Sequence, residues 1–138
     1  MKKISKYTKE INITQKIFNE YIRQRDKIED YIEDYWICIS CQKKINKPHA
    51  GHYFDTKYYP YLRFNDDNVN VQCPFCNTYR NGNLISYRYY LLQKIGKERL
   101  DNLEQKGLFG YKKLFTYEEL KNIQDIYQNK IKNGKMGT

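Results

Sequence analysis

Long apolar runs are missing from this chain of 138 residues. No stretch approaches the ~20 apolar residues that a membrane-spanning helix needs, and Met1-Lys2-Lys3 leads straight into charged sequence. Neither a signal peptide nor a membrane span is expected, and a cytoplasmic protein is. Repeats, low-complexity tracts and long linkers are also lacking, which leaves one compact domain with helical appendages. Aliphatic residues are thin on the ground, and the apolar content leans instead on 15 Tyr, 6 Phe and 1 Trp. A chain with so modest a core gains from a metal staple, worth ~10–16 kcal/mol in small zinc-binding peptides.

What is abundant is positive charge. The net charge is +9, and it is unevenly spread: +5 over residues 1–27, −4 over 28–36, +5 over 37–94 and +3 over the remainder. A basic surface favours a polyanion, usually nucleic acid for a chain without membrane signals. Nineteen of the 25 basic residues are Lys, however, and Lys, Asn, Ile and Tyr share AT-rich codons, so composition is an alternative source of the charge. The acidic run Glu29, Asp30, Glu33 and Asp34 reads as a solvated face or turn.

Periodicity places the elements coarsely. Ile17, Phe18, Tyr21 and Ile22 predict a helix from Thr14, as its N-cap, to about Arg25. Trp36–Ile39 and His49–Phe54 read as strands, Tyr61–Phe64 as a brief extended piece, and Val69–Val71 as a strand with period-two alternation after the Asp66-Asp67-Asn68 turn. Pro74 suits a first helical turn, and Asn81-Gly82-Asn83 ends it. Helices follow over Leu84–Ile95 and Lys97–Lys106. Thr116-x-x-Glu119 is a capping box that opens a last helix striped by Leu120, Ile123, Ile126, Tyr127 and Ile131. The expected organisation is a helical segment over 1–36, a metal-bound core over 37–96 and a helical segment over 97–138.

The chemistry sits in the middle. Cys38-x-x-Cys41 and Cys73-x-x-Cys76 bracket 31 residues, and four thiolates at this spacing can close a tetrahedral structural Zn2+ site. In a reducing compartment metal binding is favoured over the alternative, disulfides. The bracket encloses Gly51-His52-Tyr53 and Asn68, and Asn77 directly follows the last cysteine. A strand histidine can deprotonate water if its other ring nitrogen is held in the right tautomer. His52 is therefore the candidate general base, with a buried structural histidine as the alternative. Asn68 is a candidate brace for the loop that positions it, or simply a turn residue. Asn77 is a candidate metal ligand, or a helix cap. Arg63 has the guanidinium geometry that grips a phosphate, with Arg80 and Arg88 nearby. Tyr58, Tyr59 and Tyr61 could stack on unpaired bases or pack beneath the loop. This pattern points to a zinc-stapled ββα-metal, or HNH-like, core with flanking α-helices, of the α+β class.

Several segments carry a closer resemblance: Cys38-Ile39-Ser40-Cys41, Ala50-Gly51-His52-Tyr53, Pro60-x-Leu62-Arg63-Phe64-Asn65, Gln72-Cys73-x-x-Cys76-Asn77, Gly82-Asn83-Leu84, Tyr87-Arg88 and Ile95-Gly96. With Tyr21-Ile22-Arg23-x-Arg25-Asp26 ahead of them, they resemble the phage NinG/Rap recombination protein family, itself HNH-like. The resemblance implies a structure-specific endonuclease that cuts branched DNA such as D-loops and Holliday junctions, acting in the host cytoplasm with Mg2+ or Mn2+ at the catalytic site. Symmetric branch cutting suggests a homodimer. Two departures stand out. Many HNH nucleases carry an Asp where this chain has Gly51, and the family pattern can carry an Asp where this chain has His49. His49 is accordingly a candidate catalytic-metal ligand with Asn77, and Asn81, one helical turn on, is another. The competing expectations are a zinc-built module that binds branched or single-stranded DNA without cutting it, and an HNH nuclease acting on unbranched host or invader DNA.

Overall fold

A computed structural model describes residues 3–110 and 114–136. The first helix, α1, runs Lys6–Asp26, two turns longer at its start than periodicity around Phe18 predicts. Its N-cap is Ser5, whose hydroxyl accepts from the Thr8 N–H at 3.1 Å. Thr14, expected to be the cap, lies buried in mid-helix. Its hydroxyl donates to the Glu10 carbonyl at 2.8 Å and accepts from the Gln124 amide at 2.9 Å. Tyr7, Ile11, Thr14, Phe18 and Ile22 form one stripe at every third or fourth position. A polar residue inside that stripe looks like a boundary until its partner from a distant helix is known.

After α1 the backbone of Ile28 pairs both ways with Tyr35, at 2.8 and 3.0 Å, and the acidic run occupies the exposed loop between them. Strand β1 (Trp36–Ile37) pairs antiparallel with β2 (Lys44–Ile45), and β3 (His49–His52) with β4 (Val69–Gln72). In the second pair His49 faces Gln72 and His52 faces Val69. The extended piece expected over Tyr61–Phe64 is instead a 3-10 turn, Pro60–Leu62, because proline's fixed φ opens a helical turn readily. It turns Leu62 and Phe64 into two different hydrophobic clusters.

A π-helical turn, Phe75–Tyr79, follows Pro74. Asn81, Gly82 and Asn83 end it with φ of 49°, 90° and 45°, left-handed conformations that Asn and Gly tolerate best. Helix α2 spans Leu84–Ile95 and α3 spans Lys97–Phe109, separated at Gly96. Helix α3 runs on through Gly107, past the Lys106 end expected from the sequence, and the glycine there has a packing role: the Phe54 ring fills the space a Cβ would need. Helix α4, Tyr117–Met136, opens on the expected capping box: Thr116 Oγ1 accepts from Glu119 N at 3.1 Å and Glu119 Oε1 from Thr116 N at 3.0 Å. In its stripe Ile126 turns outward and Gln124 inward.

One core joins α1 and α4 to β4 through Phe18, Ile22, Phe64, Val69 and Leu120. The other joins α2 and α3 to the loops through Leu62, Tyr87, Leu91 and Leu100. All four residues of β4 are buried between them. The edge of β4 away from β3 is closed by groups from elsewhere. Arg25 donates to Val69 O at 2.9 Å, the Asp26 carboxylate accepts from Val71 N at 3.2 Å, and Ile39 N donates to Val71 O at 3.0 Å. No helix among the described residues is long and apolar enough to cross a membrane.

Asp26 anchors this clamp. Arg25 Nε and Lys94 Nζ reach its Oδ1 at 2.8 and 2.9 Å. Burial works to raise the Asp26 pKa, but the hydrogen bond from Arg25 and the charge of Lys94 prevail and hold it below the usual carboxylate range. Its folded pKa thus lies below the unfolded value of ~3.9, so its stabilisation is present above pH ~4 and is lost as pH falls through the folded value. Asp26→Asn leaves the partly buried Arg25 and the more exposed Lys94 without their shared counter-charge. Urea denaturation at neutral pH should show a loss of about 1–3 kcal/mol, with a shallower decline in stability below pH ~4 than in the parent chain.

Candidate metal centre and active-site residues

The four cysteines converge from two turns. Cys38 follows β1 and Cys41 lies in the turn after it, with Gln42 taking a left-handed φ of 62°. Cys73 follows β4, and Cys76 lies in the π-helical turn. All four sulfurs lie within 4.8 Å of one another, and the Cys41–Cys73 pair is 3.8 Å apart. A tetrahedron with Zn–S bonds of ~2.3 Å has edges near ~3.8 Å, so this cage can bind a metal such as zinc. Four thiolates around Zn2+ carry excess negative charge, and N–H groups aimed at sulfur offset part of it: Cys41 N to Cys38 at 3.5 Å, Cys76 N to Cys73 at 3.4 Å and Asn83 Nδ2 to Cys76 at 3.5 Å. Burial, and then the neighbouring Cys38 sulfur, push the Cys41 thiol up to about 12. A bound cation must displace such protons, which makes metal affinity pH-dependent.

The cage ties the end of β1 to the end of β4, and thereby fixes the hairpin that carries His52. The imidazole is partly buried, and its Nε2 lies 3.1 Å from the Arg63 carbonyl. That carbonyl can only accept, so Nε2 carries the proton and Nδ1 is the free acceptor. Burial lowers the His52 pKa, opposed in part by the Arg63 carbonyl, so the ring is neutral at pH 7. Asn68 is fully buried. Its Nδ2 donates to Phe54 O and Leu62 O, both at 3.0 Å, and its Oδ1 accepts from Phe54 N at 2.8 Å. It thus ties together the two ends of the segment between Phe54 and Leu62, next to the residue whose carbonyl holds His52.

Asn77 and His49 form a second pair, at the surface. Asn77 Nδ2 lies 3.1 Å from His49 Nδ1. His49 and His52 are three residues apart on one strand, so they project from opposite faces of β3. The structure therefore brings His49 to Asn77 and does not bring His52 to either. Asn81 lies exposed in the turn after Asn77, without a hydrogen bond to it among the described residues. Gly51 has a packing reason: a Cβ there would overlap the Gln72 carboxamide. That carboxamide is pinned, donating to Ser40 Oγ at 2.8 Å and to Gly82 O at 2.6 Å. A carboxylate side chain has no room at position 51.

The candidate DNA-contacting residues divide. Arg63 gives its Nε to Gln15 at 2.8 Å and lies over Phe64, on the His52 side of the hairpin. Arg88 is gripped in bidentate fashion by Glu104, with its Nη2 at 2.8 Å, so a phosphate would have to displace that carboxylate. Arg80 is exposed and lies over the Phe75 ring. Tyr59 packs on Phe54, and Tyr61 donates to Gly107 O at 3.0 Å; of the three tyrosines only Tyr58 is exposed.

Two features escaped the sequence reading. A cleft of about 1300 Å³ runs between α1, the end of α4 and the corner before β3, lined by both signs of charge: Arg23, Lys47 and Lys130 on one hand and Glu20 on the other, with Lys27 paired to Glu29 and Asp34. Its walls come from opposite ends of the chain, so no local pattern could announce it. The second is Tyr87, whose buried hydroxyl donates to Gly51 O at 2.8 Å and accepts from Asn70 Nδ2 at 3.1 Å. The Tyr87-Arg88 pair is visible in sequence, but the carbonyl it serves is not.

Two outcomes are expected. The purified chain should carry one zinc per monomer by elemental analysis, and chelation should collapse its cooperative thermal transition, as should Cys73→Ser. Gly51→Ala should cost about 1–3 kcal/mol in chemical denaturation through overpacking against the pinned Gln72.

Comparison with known families gives a consistent answer. Residues 1–136 match the family model described as Bacteriophage Lambda NinG protein. The chain is 37% identical over 124 residues to protein ninG of Escherichia phage lambda, covering 89% of this chain and 56% of that protein. It is 36% identical over 124 residues to protein ninG of Escherichia phage 933W, covering 89% and 57% of the two chains. Protein ninG of Salmonella phage P22 gives 36% over 125 residues, covering 89% and 56%. The chain spans about half the length of these curated relatives. No solved structure matches. With the family model matched from residue 1 to residue 136, this chain belongs to the phage NinG family.

Proposed function

We propose that this chain is a metal-dependent, structure-specific endonuclease of the HNH type that cuts branched DNA, such as D-loops and Holliday junctions, during phage recombination in the host cytoplasm. The observation that carries the reading is the bracing of His52. Asn68 fixes Phe54 and Leu62, the adjoining Arg63 carbonyl accepts from Nε2, and the imidazole is left neutral with Nδ1 free. A general base needs that state to take a proton from water attacking a phosphodiester. Burial keeps the ring in it at neutral pH.

Mg2+ or Mn2+ would supply charge stabilisation at the phosphate. His49, which lines the cleft, and its partner Asn77 offer one imidazole nitrogen and one amide oxygen for it. No carboxylate has room at Gly51, so such an ion would keep waters and draw further oxygens from the DNA itself. Arg63 and Arg80 would engage the backbone as fork-shaped cations.

A second reading has its own observation. His52 and the His49–Asn77 pair lie on opposite faces of β3, which favours a zinc-built module that recognises branched DNA without cutting it. Labelled D-loop, four-way junction and linear duplex, each tested with Mg2+, with Mn2+ and with neither, separate the readings. The nuclease reading expects metal-dependent cutting of branches and a drop of at least ~100-fold in His52→Ala. It also expects an acid limb in the rate profile below pH ~6.5, since the folded His52 pKa lies under the free value. Branch binding without cutting in either metal would leave the recognition module. Equal cutting of the linear duplex would make it a general DNA nuclease.

A further inference from the structure

Phe75 and Tyr79 are large aromatic residues that neither core absorbs. They are 55% and 77% exposed, although both stand on the turn that the Cys73–Cys76 pair holds in place. Within that turn their rings lie 5.8 Å apart between centroids at 34°, one helical turn from each other. The Arg80 guanidinium lies 5.3 Å from the centre of the Phe75 ring, and Arg80 has no acidic partner among the described residues. Asn77, the partner of His49, lies between the two aromatics on the same turn.

Exposed apolar side chains are common on this surface; what distinguishes this pair is that two rings and a guanidinium lie together on one rigid turn. The local charge says what they suit. Residues 68–97 contain no Asp or Glu; Arg88, Lys94 and Lys97 within them pair with Glu104, Asp26 and Asp101, which leaves Arg80 as the cation with no acidic partner among the described residues. A surface with two tilted exposed rings, a guanidinium over one of them and no acidic partner for that guanidinium among the described residues matches a nucleobase attached to a phosphate. A duplex hides its base faces, so only unpaired bases can use such a surface. The tyrosines that sequence alone would choose for this work are mostly occupied, since Tyr59 and Tyr61 pack beneath their own loop.

We propose that Phe75 and Tyr79, with Arg80 beside them, form a stacking platform for unpaired bases at DNA branch points. The platform rests on the DNA reading given above and deepens it by naming the substrate feature that is recognised. The cysteine cage preorganises it, because Asn77 N donates to Cys73 O at 3.0 Å and Gly82 N to Cys76 O at 2.8 Å. A base seated there brings its own phosphate towards Arg80 and the His49–Asn77 pair.

The test uses the full zinc-loaded chain and oligonucleotides carrying 2-aminopurine at an unpaired junction position or at a paired one. Wild-type protein should change the fluorescence of the unpaired probe only. The double variant Phe75→Leu, Tyr79→Leu keeps apolar bulk but no ring. It should lose that signal and bind the branched DNA about tenfold more weakly or worse, with duplex affinity unchanged. Phe75→Trp should retain both signal and affinity. Zinc content and far-UV circular dichroism report whether each variant is folded. DNA binding with the unpaired probe unaffected, or an equal loss on duplex and branch, would overturn the platform alone. No binding of wild-type protein to any DNA would overturn the DNA reading together with it.

Discussion

Among the described residues strand β4 pairs with one strand only, β3, yet all four of its residues are buried. Buried backbone groups need partners, and here those partners come from the end of α1, where Arg25 and Asp26 supply a donor and an acceptor to the bare edge, and from Ile39 beside the first cysteine pair. The same two side chains are linked through Asn70 to Tyr87, and Tyr87 reaches the Gly51 carbonyl next to His52. One polar chain therefore runs from the first helix through the hairpin to the backbone of Gly51, one residue before His52. The cysteine cage sits at the other end of the same strand. With both ends of β4 held, the hairpin has little freedom to shift register, and a one-residue slip would exchange the faces of His49 and His52.

The alternation of strand side chains decides how the candidate residues group. His52 shares a face with Ala50, turned towards Arg63 and the α1 side, where burial lowers its pKa. His49 shares the other face with Gly51 and meets Asn77. Gly51 is confined by the Gln72 carboxamide, itself pinned by Ser40 and Gly82. The absence of an acidic residue at position 51 is thus a steric consequence of how Gln72 bridges the first cysteine-bearing turn, at Ser40, to the Asn81–Asn83 turn, at Gly82.

Much of the outline was legible in advance. The CxxC spacing announced the cage, Thr116 and Glu119 announced the start of α4, and the alternation around Val69–Val71 announced β4. These are local signals, carried by residues that interact within a few positions of each other or in a motif of fixed spacing. The misreadings have a common origin. Thr14 looked like a cap because its partner Gln124 is 110 positions away. Arg88 looked free because Glu104 lies on another helix. Tyr59 and Tyr61 looked available because the rings and carbonyl they contact come from outside their tetrapeptide.

By itself the sequence determined the local grammar: the helical stripes, the breaking triplet Asn81-Gly82-Asn83, the four thiols and the histidine between them. Propensity, periodicity and ligand spacing act over short range, so they survive without knowledge of the fold. The tertiary structure alone decided which side chains are available for chemistry. It set His52 against a carbonyl, sent His49 to Asn77, spent Arg88 on Glu104 and left Phe75 and Tyr79 bare. Exposure, pairing and pKa depend on what the rest of the chain brings alongside, and here the partners come from elements far apart in sequence.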